Sequence, residues 1–224
     1  MPVDSLSVRY DLSYNENIDS TIITAYFSLI PKRKQTQDGV DGCYGMSLTR
    51  LKTGSTISFN NIVLECNKYN YYENKIKGFI GGGSFILIDS NGNKMVSNVP
   101  TPEKIAFPKL HTLNKNFEIS FPFEGTPLNK NEVVMFSFVD KEDHPVYVHS
   151  SIEGNRVRVP VNQTYADGPA VLRLERSYRS VSRNAQRIKF GEKVTYIAKD
   201  LPVEIVSQPG QTDPPRVRSG NNPQ

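Results

Sequence analysis

Seven cations crowd one stretch of this chain: Arg173, Arg176, Arg179, Arg183, Arg187, Lys189 and Lys193, opposed only by Glu175 and Glu192. The local excess of five is larger than the +4 carried by all 224 residues. A guanidinium is a planar fork of donors suited to carboxylates, sulfates and phosphates, and Tyr178 adds a ring beside it. The arginine spacing would align on a helical face, but Ser177, Ser180, Val181, Ser182 and Asn184 are weak helix formers. The stretch therefore reads as a strand end, an exposed hairpin connection over residues 178–186, and the start of a last strand. Its chemistry is docking to an acidic protein surface, or to a polyanion or glycan. The competing reading is a solvated edge whose like charges deter strand pairing. Tyr69, Tyr71 and Tyr72, flanked by Lys68 and Lys75, form a second candidate contact surface, because tyrosine gives large area at low entropy cost. Tyrosines of alternating burial in an edge strand would look the same.

Other chemistries find little support. Cys43 and Cys66 are the only cysteines and fit either one disulfide or two buried thiols. His111, His144 and His149 lack paired ligand spacing, so no metal site is read. Asp143-His144 precedes Pro145 in a turn, and no Gly-x-Ser-x-Gly elbow accompanies His149, Ser150 and Ser151; no catalytic residue and no cofactor are assigned. Gly81-Gly82-Gly83 runs into a strand rather than a helix, which makes it a bulge or bend and not a phosphate cradle. Asp89-Ser90-Asn91-Gly92-Asn93 begins like a calcium loop, but position twelve is Pro100, and Asn-Gly marks a hairpin turn. Asn162-Gln163-Thr164 matches a glycosylation acceptor pattern. The modest overall charge, with 27 basic and 23 acidic side chains, excludes a polycation and with it specific nucleic-acid binding.

The elements that must carry these residues are strands. Tyr and Phe number 11 each, Val, Ile and Thr are abundant, and apolar residues alternate with polar ones along most of the chain. Such segments cover residues 6–12, 23–29, 46–51, 57–64, 85–88 and 94–96, then 105–107, 117–121, 133–139, 146–148, 157–161, 170–174 and 193–206. Turn signals punctuate them every 8–12 residues or so, as a sandwich requires. Val99-Pro100-Thr101-Pro102-Glu103 interrupts the pattern, since proline cannot sit within a central strand. The expected architecture is all-β: tandem antiparallel Ig-like sandwiches at residues 1–101 and 102–207, a stiff linker, and a disordered tail at residues 208–224.

The rhythm of Phe85-Ile86-Leu87-Ile88-Asp89-Ser90-Asn91-Gly92-Asn93, the Val99–Glu103 linker, Glu132-Val133-Val134-Met135-Phe136-Ser137-Phe138 and Tyr165-Ala166-Asp167-Gly168-Pro169 resembles the mature parts of extracytoplasmic lipoproteins from Bacteroidota. Asp4-Ser5-Leu6 and Asp19-Ser20-Thr21 fit the short O-glycosylation pattern of such bacteria. The resemblance implies two Ig-like sandwiches, a periplasmic or outer-membrane location, and a membrane tie only through a lipid anchor on a segment preceding this chain. It brings no functional residues. The expected function is a non-enzymatic binding or assembly component of the cell envelope. An accessory enzyme acting on carbohydrate or peptide, with its site between the domains, is the first alternative; a structural subunit of a virion or surface appendage is the second.

Overall fold

The protein is described by a computed structural model covering residues 6–29, 48–116, 118–139, 145–147, 151–153, 156–159, 167–183 and 189–207. Among these residues there are strands and no helix. Ahead of Pro100 lie β1 (Leu6–Asn15), β2 (Ser20–Leu29), β3 (Thr56–Phe59), β4 (Ile62–Val63), β5 (Glu65–Cys66), β6 (Tyr72–Lys77), β7 (Gly83–Ile88) and β8 (Lys94–Val99). Then come β9 (Ile105–Ala106), β10 (Thr112–Asn114), β11 (Ile119–Pro122), β12 (Glu124–Gly125), β13 (Glu132–Val139), β14 (Pro145–Tyr147), β15 (Ser151–Glu153) and β16 (Arg156–Val159). The last three are β17 (Gly168–Arg183), β18 (Lys189–Ile197) and β19 (Leu201–Val206).

One sheet takes strands from both ends of the chain. Its order is β10-β19-β17-β18-β1-β2-β6-β5, with β13 joined to β17 and β14 to β13. Smaller sheets, β4-β3-β7-β8, β11-β16-β15 and β9-β12, supply the remaining strands. Two apolar clusters result. The first gathers Val8, Tyr10, Leu12, Ile23, Phe27, Phe59, Phe85 and Val194, with the Tyr10 ring stacked on Phe85 at 4.3 Å. The second gathers Phe121, Phe136, Phe138, Leu172, Leu174 and Val203, together with Tyr14 and Tyr196.

β17 is the shared member. Its residues 168–172 pair with β19, 171–178 with β13 and 175–183 with β18. Because side chains alternate with a period of two, Leu172, Leu174, Arg176 and Tyr178 all turn inward. Leu172 and Leu174 enter the second cluster, whereas Tyr178 packs against the first. β18 hands over in the same way, with Val194 in the first cluster and Tyr196 in the second. On its far side β18 pairs in parallel with β1, from Ser7↔Lys189 to Asn15↔Ile197.

Arg176 sits at this handover and is 2% exposed. All five of its N–H donors are engaged. Nε donates to Glu132 Oε1 at 3.0 Å, and Nη2 to Glu132 Oε2 at 2.7 Å and the Pro127 carbonyl at 3.2 Å. Nη1 donates to the Thr126 carbonyl at 2.8 Å and to its hydroxyl at 3.0 Å. Burial pushes the Glu132 carboxyl up, but hydrogen bonds from Arg176 and the Asn129 amide, with the adjacent positive charge, hold it below the usual range. The sequence expectation of a surface arginine at 176 is corrected here: strand parity sends it inward, away from Arg173 and Arg179.

Several local expectations also change. No strand forms over residues 49–55, and Leu48 makes only an isolated bridge to Ser28, so the strand expected over residues 46–51 is not found among its described residues. The turn that does form is Asn60-Asn61, with φ of 48° and 68°, closing β3 on β4. The glycine run owes its composition to crowding rather than to a bulge. A Cβ on Gly83 would lie 2.1 Å from the Asn60 amide oxygen, and one on Gly82 2.5 Å from the Pro100–Thr101 backbone. The turn at Asp89 is as expected: its carboxylate accepts from the amides of Asn91 and Asn93, both at 2.8 Å, between β7 and β8. The final extended stretch divides into β18 and β19, and β17 runs nine residues past the expected end at Leu174. The tail at residues 208–224 lies outside the described residues.

Glu132→Ala leaves a buried, unpaired guanidinium and is expected to cost about 3–5 kcal/mol in denaturant unfolding. Replacing both partners by apolar residues of similar volume should recover most of that loss. The depressed Glu132 carboxyl contributes stability that is fully present above the unfolded-state value, about 4.3, and lost as pH falls through the folded value. Glu132→Gln should therefore flatten the acid limb of the stability profile.

Candidate functional site

The structure sorts the sequence-predicted contact residues by the face of the strand they occupy. On β17, Arg173 and Arg179 stand exposed on the outer face of the long sheet, while Arg176 and Tyr178 turn inward. Arg173 is committed to Asp200, with Nε 3.0 Å from Oδ2. Arg183 is the last residue of β17. Arg187 lies outside the described residues, and so do Cys43, Asp143, His144, His149 and Asn162. The expectation of an exposed connection beginning at Tyr178 is corrected, because β17 continues as paired strand to Arg183 and Tyr178 packs against the first cluster.

The tyrosines divide likewise. Tyr72 opens β6 and is buried, its hydroxyl accepting from the Leu51 amide at 3.0 Å. It is a core residue and not a contact residue. Tyr69, 61% exposed, and Tyr71 lie in the β5–β6 turn, where the Asn67 side chain accepts from both their amides, at 2.9 and 3.4 Å. Cys66 carries a free, exposed thiol among the described residues. Ser20 and Thr21, in the second glycosylation pattern, are buried with their hydroxyls bonded to the carbonyls of Ile18 and Gly78, which closes that site to modification.

Register then brings the two surviving candidates onto one face. Arg9 of β1 lies opposite Tyr26 of β2, and its guanidinium sits 4.1 Å from the ring centroid. Tyr26 meets Tyr71 at 5.4 Å, Tyr71 stacks with Tyr69 at 6.3 Å, and Lys68 Nζ lies 4.9 Å from the Tyr69 ring. The next row of the sheet reads Arg179, Lys193, Asp11, Thr24 and Glu73 from β17 across to β6. A ladder of three rings bracketed by two cations thus crosses the outer face from the tyrosine turn to Arg9, one row from Arg179 and Lys193. Burial and the nearby Asp11 charge push the Tyr26 hydroxyl up, so it stays protonated and able to donate at neutral pH.

Between β17 and β1 the face is notched. A concavity of about 300 Å³ is lined by Arg9, Asp11, Arg179, Ser180, Gly191, Glu192 and Lys193. Arg9 Nε is 3.2 Å from Asp11 Oδ1. Burial raises the Asp11 carboxyl, and Arg9, Lys193 and Arg179 pull it back down. Glu192 turns its carboxylate to the opposite side of β18, where the Ser97 hydroxyl of β8 donates to it at 3.2 Å. Burial pushes this carboxyl up, with Ser97 opposing the shift. Among the described residues no cluster of His, Cys, Asp and Glu could hold a metal ion. Arg9, Asp11 and Tyr26 were not legible as site residues. The sequence shows them on the polar side of an alternating segment, but only the β1–β2 and β1–β18 registers reveal their neighbours.

No protein-family model and no curated protein matches this chain. Among solved structures, an I-band fragment of titin superposes with a TM-score of 0.22 at 8% identity, covering 91% of this chain and 64% of the fragment. A mutated variant of the same titin domains gives the same values, and human mucin-like protocadherin gives 0.21 at 10% identity, covering 92% of this chain and all of its own. The chain thus spans less than two thirds of the titin fragments. Superpositions this loose carry no weight for fold or function.

A carboxyl raised by burial favours folding only while protonated. Its contribution is full below the unfolded value, about 4.3, and lost as pH rises through the folded one. Glu192→Gln keeps the acceptor for Ser97 without the charge. Thermal unfolding should show the variant more stable than the parent at pH 7, with the difference shrinking as pH falls through the raised folded value and gone below about 4.

Proposed function

We propose that this protein is a non-enzymatic binding or assembly component of the cell envelope. In this reading the outer face of its long sheet holds an acidic protein surface or a polyanionic glycan. The observation that carries the reading is the convergence of the tyrosine turn and the arginine hairpin on one continuous face, through Lys68, Tyr69, Tyr71, Tyr26 and Arg9 to Arg179 and Lys193. Paired neighbours hold these side chains in place before any partner arrives, which lowers the ordering cost of binding. Each ring is flanked on both sides, so the ladder offers edges, hydroxyls and cations rather than open ring faces; that suits an anionic partner better than a neutral sugar. The two apolar clusters are read as two sandwich domains locked together by the strands they share. An extracytoplasmic location with a lipid anchor rests on the sequence resemblance. No helix among the described residues is long and apolar enough to cross a membrane.

Retention on a sulfated-polysaccharide matrix tests the reading. The parent protein should elute in a salt-dependent manner, and Arg9→Gln combined with Arg179→Gln should elute at distinctly lower salt. The log–log dependence of affinity on salt should become shallower by about one per cation removed. Arg176 is left intact, because its loss would report on folding. Equal retention of parent and variant would overturn the proposal.

A further inference from the structure

We infer that the notch at Gly191 is a subsite for a tetrahedral oxyanion, the sulfate or phosphate ester group of the acidic partner. This rests on the reading of the outer face as a docking surface and narrows it to one position and one chemistry.

Gly191 is the only residue of the Val181–Gly191–Arg9 row without a side chain, and it stands directly opposite Val181 on β17 and Arg9 on β1. Its backbone has no left-handed φ, and a Cβ built there would lie 3.7 Å from Arg9 Cγ and 3.9 Å from the Ser180 carbonyl oxygen. Neither the turn chemistry nor the crowding that explains the other strand glycines applies to it. What its missing side chain does is leave the floor of the notch open.

Arg9, Arg179 and Lys193 surround that opening, and Asp11 lies in the row beside it. Asp11 offsets one positive charge and Glu175, paired with Lys193, offsets a second, leaving a local excess of one. Asp11 Oδ1 is buried with its ion pair to Arg9 but without a well-directed hydrogen bond. Lys193 leans toward Glu175, with Nζ 3.4 Å from Oε1. The Arg9 guanidinium is held at the rim of the notch by its stack on Tyr26 and its ion pair with Asp11. Two forks and an ammonium supply the donors that an anion with several acceptor oxygens needs, and a space of about 300 Å³ admits such a group together with its water. A lone carboxylate would leave much of that donor capacity unused.

Titration of the full chain with sodium sulfate and with sodium phosphate, at ionic strength held constant with sodium chloride, tests the subsite by following the amide resonances of Ser180, Gly191 and Lys193. Saturable shifts confined to these amides are expected. Gly191→Val fills the notch without touching a charge and should weaken anion binding about tenfold, as should Lys193→Gln. Gly191→Ala should fall between parent and Val variant. Thermal unfolding of each variant checks that the sheet is intact; if Gly191→Val is destabilised, Lys193→Gln decides alone. Displacement of the small anion by a sulfated oligosaccharide or by a polyphosphate chain identifies the source of the group, and displacement by neither overturns the subsite. Absence of saturable shifts, or equal binding by parent and variants, also overturns it. If retention on the polyanionic matrix still depends on Arg9 and Arg179 in that case, the face is a diffuse docking surface without the notch. If that retention is lost as well, both proposals fall.

Discussion

The bidentate pair between Arg176 and Glu132 is the constraint on which the rest of the sheet depends. β17 must serve two apolar clusters in succession, and the inward position between Leu174 and Tyr178 belongs to neither. An arginine there reaches past the strand to the connection ahead of β13, gathering the Thr126 and Pro127 carbonyls while Glu132 neutralises it. Every donor finds an acceptor, so the desolvation of two charges is offset by geometry rather than by water. The Thr126 hydroxyl in turn bonds the Glu103 carboxylate at 3.1 Å, bringing the proline-containing segment into the same network. With β17 fixed at its midpoint, the registers of β18 and β1 follow. The outer-face residues then have neighbours of defined identity.

Much of the fold was legible as period-two alternation. Val8, Tyr10 and Leu12 against Arg9 and Asp11 is a half-buried strand in any context, and the sequence from Asp89 to Asn93 specifies its own turn through hydrogen bonds within five residues. What escaped was information held by partners distant in sequence. Residues 175–183 carry little apolar alternation, so nothing local marks them as strand; the pairings with β13 and β18 do. The three-residue arginine spacing invited a shared face, yet in a strand an odd step reverses the side, which put Arg176 in the interior and left Arg173 and Arg179 outside. Asn60-Asn61 was hidden within an apparently continuous run because two asparagines adopt left-handed backbone without a glycine to announce it.

Of the candidate site, the residue types were visible and their assembly was not. Tyr69 and Tyr71 lie at the surface while Tyr72, one step on in the alternation, is core. Arg9 and Tyr26, about seventeen residues apart, meet only because β1 and β2 are antiparallel with that register. The outer face therefore has an unusual property for a surface: its cations are held by neighbouring rings and carboxylates, with Arg9 stacked on Tyr26 and Lys193 beside Glu175. Such a surface loses less side-chain freedom when a partner docks than a fringe of independent lysines would.

The parallel seam between β1 and β18 bears on how the chain reaches this state in the cell. β1 is made long before its neighbour on one side, which is supplied by residues 189–197. An emerging polypeptide can form the β1–β2 hairpin early, yet that hairpin keeps a long unpaired edge until β18 leaves the ribosome. Topologies closed by such distant contacts fold slowly. Until β18 arrives, that edge is a template for wrong pairings, so the wait itself is the chain's main exposure to aggregation.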